Sequence, residues 1–283
     1  MNIKDCIYAG LRYFYCRLIP SHVKKENQKK LLSYKDKYRG KRCFIIGNGP
    51  SLRAEDLELI KDEISFGMNH IYKIYDKTQW RPTFWCIQDM NFVREMGNDF
   101  AEAGKEAEAD FIRMQSYRDI RKIYENIKNP VLVPIWQVYD DYKTHWFSDS
   151  ANRYVYDGGT VTYMAMQLAA YMGFAEVYLL GVDFSFPFTY NARTKKYEQV
   201  DLNQAAHFYQ TSEESKNAKT GLHFGGNDEL VKSAYVAAEK YCINHDDFQI
   251  YNATRGGKLE IFPRVDFDSI VKKERECSES TIG

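Results

Sequence analysis

The chain has 283 residues and a mass of 33.2 kDa, which suits one large domain with appendages and argues against several small domains. Its 39 lysines and arginines equal its 39 aspartates and glutamates, so no net charge draws it to nucleic acid. The six cysteines are spread singly, no apolar run reaches the roughly 20 residues of a membrane span, and the N-terminus lacks a signal-peptide pattern, which together predict a cytoplasmic protein with reduced thiols.

Residues 1–40 are predicted to form an amphipathic helix followed by a charged linker. Apolar side chains recur at helical spacing through the first twenty residues, at Ile3, Ile7, Leu11, Phe14 and Leu18. Such a helix can lie on a membrane surface, which would place the protein at the inner face of the membrane. It can equally pack on the domain or on a second copy in a homo-oligomer, because apolar stripes are more often buried in protein.

From residue 41 onward, apolar runs alternate with helix-like stretches. Strands are predicted at 42–47, 64–68, 82–88, 131–135, 176–181 and 248–251, and helices at 53–62, 117–127, 160–172 and 228–243. This alternation predicts an α/β fold with a Rossmann-like, doubly wound, mostly parallel sheet. The domain spans 41–272 and is followed by a flexible tail at 273–283, and the aperiodic stretch at 184–227 is expected to be a lid or binding loop.

The first predicted strand ends in a glycine turn, Gly47-Asn48-Gly49-Pro50-Ser51, and a helix follows it. A strand, glycine turn and helix can place backbone N–H groups and the positive end of a helix dipole at a phosphate. The turn lacks the Gly-Lys-Ser/Thr of a P-loop, and Leu52 stands where a dinucleotide fingerprint has its third glycine. A tight structural turn explains the two glycines equally well.

Polar residues follow several of the other predicted strands. They are Asn69, Gln88, Asp89 and Asp183, and a second glycine turn, Gly158-Gly159-Thr160, opens the helix at 160. Carboxyl ends of parallel strands meet at one edge of a sheet, where α/β proteins bind ligands. The residues therefore predict a nucleotide-type site, although Thr160 is also a plausible N-cap and Asn69 a common turn residue.

Five stretches of the chain carry a resemblance to known proteins: "IIGNGPSL", "GMNH", "DGGTVTYMAMQLAAYMGFAEVYLLGVDF", "HFY" and "IYNATRGGKLEIFPRVDF". Together they resemble a bacterial domain family described as 6-hydroxymethylpterin pyrophosphokinase-like. That family shares its nucleotide-binding core with the lipooligosaccharide sialyltransferases of glycosyltransferase family 42. The similarity covers residues 41 to about 268.

The resemblance implies a donor site at the strand ends. By analogy with the sialyltransferases, the nucleotide contacts are Asn48, Gly49, Ser51 and Asn69, with Gln88 or Asp89 near a further donor-binding position and Gly158 to Thr160 meeting nucleotide and sugar. Gly158 replaces an arginine of that family, and Ser185 replaces the tyrosine that follows the strand ending in Asp183. Tyr190 is expected to contact the leaving phosphate, and Arg255 is a candidate for the missing positive charge.

The resemblance also implies a histidine base in the lid. His207, in the "HFY" triplet, is the first candidate and His223 the second, while Thr211 stands at the spacing from Phe208 that the family histidine has. A neutral histidine can take a proton from an acceptor hydroxyl at cytoplasmic pH. Each histidine could instead be a surface or structural residue.

The resulting expectation is a sialyltransferase-type glycosyltransferase. It would move a sugar, such as a nonulosonic acid from a CMP-activated donor, to a cell-surface glycan or its lipid-linked precursor, with no required metal or cofactor. One alternative is a pyrophosphokinase acting on a pterin with ATP and Mg²⁺, whose metal ligands would be Asp89 and Asp183. Another is a nucleotide-binding module without catalysis.

Overall fold

The structure is a computed structural model that describes residues 19–89, 92–93, 96, 99–137, 143–185, 188–191, 196–199, 207–208 and 228–272. The helices within these ranges are α1 (Ser21–Tyr34), α2 (Ala54–Leu59), α3 (Asp99–Ala103), α4 (Tyr117–Ile120), α5 (Val161–Tyr171) and α6 (Asp228–Ile243). Short 3₁₀ helices cover Asn69–Ile74, Met114–Ser116 and Tyr124–Asn126. The longest helices, α1, α5 and α6, account for most of the helical packing around the sheet.

The strands are β1 (Arg42–Ile46), β2 (Ser65–Met68), β3 (Phe84–Ile87), β4 (Ala109–Arg113), β5 (Pro130–Val133), β6 (Ile135–Trp136), β7 (Val155–Tyr156), β8 (Glu176–Leu180), β9 (Phe188–Asn191), β10 (Lys196–Gln199) and β11 (Gln249–Asn252). In the described part of the chain, seven of them form one sheet in the order β11-β8-β1-β2-β3-β4-β5, and every pairing is parallel. The chain builds outward from β1 to β5 and returns to the other side of β1 with β8. This reversal confirms the α/β, mostly parallel fold and puts its topological switch point between β1 and β8.

Two apolar cores cover the two faces of the sheet, as a parallel sheet requires. Along β1, Cys43 and Ile45 face the core beneath helix α5, whereas Phe44 and Ile46 face the core that includes Leu57 of α2. Four consecutive residues of this strand are therefore fully buried. This explains why β1 reads as a continuous apolar run and not as an alternating one.

Helix α1 replaces the charged linker that the sequence predicts at this position. Its buried residues are Val23, Asn27, Leu31 and Tyr34. The Asn27 amide donates to Leu132 O at 2.8 Å and accepts from Leu132 N at 2.6 Å, so a side chain closes the exposed edge of β5. The prediction was wrong because the buried stripe is narrow, contains a polar member and is surrounded by lysines.

Other expectations agree with the structure to different degrees. The helix predicted at 117–127 is only α4 and a 3₁₀ turn, and β4 was not predicted at all. Within the expected lid at 184–227, the described parts are residues 184–185, the antiparallel pair of β9 and β10, and residues 207–208. The amphipathic N-terminal helix and the C-terminal tail lie outside the described residues. None of the helices in the described ranges is long and apolar enough to span a membrane.

Asp110 gives the fold a testable pH dependence. It lies in β4 with 1% of its surface exposed, its Oδ1 atom has no hydrogen-bond partner among the described residues, and burial raises its pKa to about 8. The raised pKa means that the folded state holds the proton more tightly than the unfolded chain does. The stability that the tightly held proton of Asp110 contributes is complete below about pH 4 and is lost as the pH rises through about 8.

We expect Asp110→Asn to unfold at higher urea concentration than the wild type at pH 8.5, with a gain of at least about 1 kcal/mol. The gain should shrink toward pH 5, because there the wild-type carboxyl is already protonated. Urea titrations at both pH values test this, and the exposed Asp62 supplies the control Asp62→Asn. Equal stability changes for Asp110→Asn at the two pH values would contradict the prediction.

Candidate nucleotide-binding site

The glycine turn after β1 packs directly on the loop after β8. Gly47 N donates to Leu180 O and Gly49 N donates to Gly181 O, both at 2.8 Å. A Cβ atom on Gly47 would lie 2.3 Å from Gly181 O, and one on Gly49 would lie 1.8 Å from an Asp183 carboxylate oxygen. Neither glycine has a positive φ. The two glycines are therefore explained by the close approach of two loops, and these two N–H groups are used by the protein itself.

Asp183 ties the same two loops together through its side chain. Its Oδ2 atom accepts hydrogen bonds from Ser51 Oγ at 2.8 Å and from Ser51 N at 3.4 Å. Burial raises the pKa of this carboxyl, and the two hydrogen bonds from Ser51 oppose the rise. The structure thus brings together Gly47, Gly49, Ser51 and Asp183, as the sequence predicts, and joins them by contacts within the protein.

Two buried amide oxygens lie at the ends of β1 and β2. Asn48 Nδ2 donates to Met68 O at 2.9 Å, which leaves Asn48 Oδ1 buried and without a partner among the described residues. Asn69 Oδ1 is likewise buried and without a partner among the described residues, and the backbone of Asn69 has a left-handed φ of 44°. An unpaired buried acceptor is costly, so each is a feature that needs an explanation. A ligand with N–H or O–H donors would supply the missing partners.

Residues 207 and 208 of the expected lid contact this turn. Phe208 N donates to Asn48 O at 3.0 Å, and the His207 side chain lies near the Asn48 backbone. Burial lowers the pKa of His207 to about 4, and nearby His70 adds to the effect. His207 is therefore neutral at physiological pH and lies beside the predicted donor position. The side chain of Tyr190, in β9, and the whole of His223 lie outside the described residues.

Asp157 connects several residues at the carboxyl edge and was not among the residues predicted. Its Oδ1 accepts from Gln88 Nε2 and from Gly159 N, both at 2.9 Å, and its Oδ2 accepts from Gln137 Nε2. The Asp-Gly-Gly order of the sequence, typical of turns in which an aspartate accepts a backbone N–H, could have indicated this role. Asp89, next to Gln88, is partly buried, and its carbonyl accepts from Val93 N at 3.4 Å.

The second glycine turn is shaped by packing as well as by helix capping. Thr160 is the N-cap of α5 and accepts from Thr162 N at 3.3 Å, while Gly159 has a φ of +70°. A Cβ atom on Gly158 would lie 2.5 Å from Ala234 Cβ in α6. An arginine at 158 would therefore require α6 to move. The N-terminus of α5 still lies at the same edge of the sheet as the turn after β1.

Arg255 makes structural contacts, which differ from the role predicted for it in the site. Its Nε donates to Asp56 Oδ2 at 2.7 Å, and its other nitrogens form a two-point pair with Asp268. The guanidinium also lies 5.1 Å from the centre of the Phe267 ring. The arginine thus fastens the C-terminal segment to α2, and two carboxylates already neutralise its charge.

A different arginine lies at the carboxyl edge. Arg113 ends β4, and the pairing of Ile87 with Ile112 puts it beside Gln88 on the neighbouring strand. Arg113 Nε is buried without a hydrogen-bond partner among the described residues, and so is Gln115 Oε1 two positions later. None of the ion pairs between described residues includes Arg113. Arg113 is not among the site residues predicted from the sequence, because β4 was not predicted.

Comparison with known proteins gives the family. The profile of the family described as "6-hydroxymethylpterin diphosphokinase MptE-like" matches residues 19–189, more than half of the chain, so the protein belongs to this family. No curated protein sequence matches the chain. A solved structure, a MAf glycosyltransferase from Magnetospirillum magneticum AMB-1, is similar with a TM-score of 0.49 and 16% identity over 89% of this chain. The chain spans 40% of that protein's length.

We expect Gly47→Ala to destabilise the protein by about 1–3 kcal/mol, since the new methyl group would meet the backbone of Gly181. Gly256→Ala is the matched control, because a Cβ there meets nothing within 4 Å and Gly256 has no positive φ. Thermal unfolding of both variants tests the prediction. Equal melting temperatures for Gly47→Ala and Gly256→Ala would show that the two loops are not in close contact.

Proposed function

We propose that this protein is a nucleotide-sugar-dependent glycosyltransferase whose donor binds at the carboxyl edge of the sheet, between the turn at Gly47–Ser51 and the start of α5. The donor of the proposal is a CMP-activated sugar of the nonulosonic acid class, and the acceptor is a hydroxyl of a cell-surface glycan or of its lipid-linked precursor. The site's place at the switch point beside β1 and β8 agrees with the usual ligand position in open α/β sheets.

The single observation that carries the proposal is the pair of buried amide oxygens, Asn48 Oδ1 and Asn69 Oδ1, which have no hydrogen-bond partner among the described residues. Both are acceptors, so they suit a ligand rich in donors, such as the ribose hydroxyls and the amino group of a cytidine nucleotide. Each lies at the end of one of two adjacent strands, β1 and β2. A nucleoside that reached both would be fixed at two points.

The charges of the site support transfer of a sugar from a nucleotide. Asp183 and Asp157 both accept hydrogen bonds from protein donors. Arg113, beside Gln88, offers a cation to a phosphate or to the carboxylate of an acidic sugar. A leaving nucleotide monophosphate needs this kind of electrostatic help, because negative charge grows on its phosphate as the glycosidic bond breaks.

His207 is the proposed base. As the acceptor oxygen bonds to the anomeric carbon and the bond from that carbon to the donor phosphate breaks, the hydroxyl proton passes to the imidazole and the nucleotide leaves with the bonding electrons. A pKa near 4 keeps the ring neutral and able to accept this proton at neutral pH. The low basicity suits a step in which the leaving group departs early and the proton moves late.

The family description favours a second candidate, a diphosphokinase that transfers pyrophosphate from ATP to a pterin. This reaction would need Mg²⁺ and carboxylates at the triphosphate, for which Asp89 and Asp183 are the candidates. Ser51 donates both of its hydrogen bonds to Asp183 Oδ2, so Asp183 would ligate the metal through Oδ1. The two candidates therefore differ in nucleotide and in metal dependence.

A thermal-shift panel of CMP, CDP, UDP, GDP and ATP, each with Mg²⁺ or EDTA, separates the two candidates. We expect CMP to raise the melting temperature by several degrees with EDTA present, since a ligand at 100 times its Kd adds about 2.7 kcal/mol. Asn48→Ala should weaken CMP binding about tenfold through loss of one hydrogen bond to the ligand. Asn244→Ala, which removes an exposed side-chain amide just after the end of α6, should not.

Stabilisation by ATP that requires Mg²⁺, without any effect of CMP, would overturn the glycosyltransferase proposal and favour the diphosphokinase. No stabilisation by any nucleotide would overturn both. Equal loss of CMP affinity in Asn48→Ala and Asn244→Ala would show that Asn48 does not contact the ligand.

We expect His207→Asn to lower turnover by about 10²–10⁴-fold while CMP affinity stays within about twofold. The wild-type rate should fall as the pH drops through about 4, where the imidazole gains its proton. The control is His22→Asn, which changes an exposed histidine of α1. Initial rates with a CMP-sugar donor, measured across pH, test this. Unchanged turnover in His207→Asn would assign the base to another residue, with His223 next to be tested.

A further inference from the structure

Four aromatic side chains form an exposed surface that the nucleotide site does not use. We call Trp136, Tyr154, Tyr156 and Trp146 the aromatic platform. Ring centres in this order are 5.5, 5.4 and 5.9 Å apart. The outer members are 49% and 38% exposed for Trp136 and Trp146, although indole rings are normally largely covered. Single exposed apolar side chains are common, but a contiguous exposed patch usually marks a binding surface.

The platform is fixed to the core by hydrogen bonds. The buried Gln167 side chain accepts from Tyr156 N at 2.8 Å and from Ser148 N at 3.0 Å, and it donates to Tyr156 O at 2.9 Å. Tyr163 OH donates to Trp146 O. Helix α5 thus holds the segments that carry Trp146 and Tyr156, and the pairing of β6 with β7 connects Trp136 to them. Rings held in place lose little freedom on binding, which favours recognition of a ligand.

The platform borders the candidate nucleotide site. Trp136 pairs with Tyr156 where β6 and β7 run in parallel. Gln137 directly follows Trp136 and Asp157 directly follows Tyr156, so the platform residues lie next to these two residues of the candidate site. Gln137 donates to Asp157, which also accepts from Gly159 at the start of α5. A ligand lying on the platform would therefore end beside the proposed donor position.

We propose that the aromatic platform binds the pyranose rings of an oligosaccharide acceptor, an inference that rests on the proposed function for the existence of a glycan acceptor. A pyranose ring presents a flat face of C–H groups, which packs on the electron-rich face of an indole, while its hydroxyls stay in solvent or find polar partners. The platform offers both kinds of contact, because its two indoles are exposed and its two tyrosines carry hydroxyl groups.

The spacing of the rings favours an oligosaccharide over a single sugar. Trp136 and Trp146 stand at the two ends of the row, with the tyrosines between them. Two stacking positions separated in this way suit successive residues of a glycan chain. The end of the glycan nearest Asp157 would then carry the hydroxyl that attacks the donor sugar.

The test uses the full chain and a panel of lactose, N-acetyllactosamine, maltotriose and cellotriose. Binding is measured by saturation-transfer NMR and by the protection of tryptophan fluorescence from quenching by acrylamide. The wild type should bind at least one of these glycans. Trp136→Ala and Trp146→Ala should each bind it at least about tenfold more weakly. Leu32→Ala is the matched control, because Leu32 is as exposed as Trp136, at 49%, but lies on α1.

CMP stabilisation measured on the same samples separates the two proposals. Retained CMP binding with no glycan bound by the wild type, or with equal glycan binding in the tryptophan variants and Leu32→Ala, would overturn the platform inference and leave the nucleotide site intact. Absence of CMP binding together with tryptophan-dependent glycan binding would overturn the proposed donor and keep the platform. A concentration-dependent dimer lost only in the tryptophan variants would assign the platform to contact with a second copy instead.

Discussion

The contact between the loops after β1 and β8 is the constraint on which the rest of the site depends. Two backbone hydrogen bonds, from Gly47 and Gly49, extend the pairing of these strands beyond the sheet, and the Asp183 carboxylate closes the junction on Ser51. No side chain fits at either glycine, so the junction has one close-packed arrangement. Asn48, between the two glycines, is held by this arrangement, and its carbonyl receives Phe208 from the expected lid. The turn therefore connects the loop after β8 with the expected lid, and the N–H groups of Gly47, Gly49 and Ser51 are used within the protein.

A second junction, centred on Asp157, orders the other half of the carboxyl edge. The aspartate collects donors from the end of β3, from the residue after β6 and from the glycine turn before α5. It thereby fixes the start of α5 relative to the sheet, and on its outer side it adjoins the aromatic platform. Arg113, on the strand beside Gln88, adds positive charge next to this junction. The proposed donor and acceptor positions are consequently neighbours at the carboxyl edge of the sheet.

This arrangement suggests how one family core can serve different transfer reactions. The family is named for a diphosphokinase, whereas the features described at the present site are amide oxygens, an arginine and an aromatic surface. The loops at the carboxyl edge carry these features, while the sheet and its two cores are positioned mainly by apolar packing. The reaction is therefore to be read from the edge residues and not from the fold.

The sequence by itself determined the class of fold, because buried parallel strands appear as continuous apolar runs and their ends carry glycine and polar residues. It also predicted a site at the carboxyl edge of the sheet, with Asn48, Asn69 and His207 among its residues. It did not assign the roles of Asp157 and Arg113, and it placed Arg255 in the site. Their roles depend on partners that are distant in the chain, as in the pair of Arg255 with Asp56, 199 residues away. Helix α1 likewise depends on an asparagine bonded to β5 and not on a strong apolar stripe. Tertiary structure decided these points because hydrogen bonds and ion pairs between remote segments leave no periodic signal in the sequence.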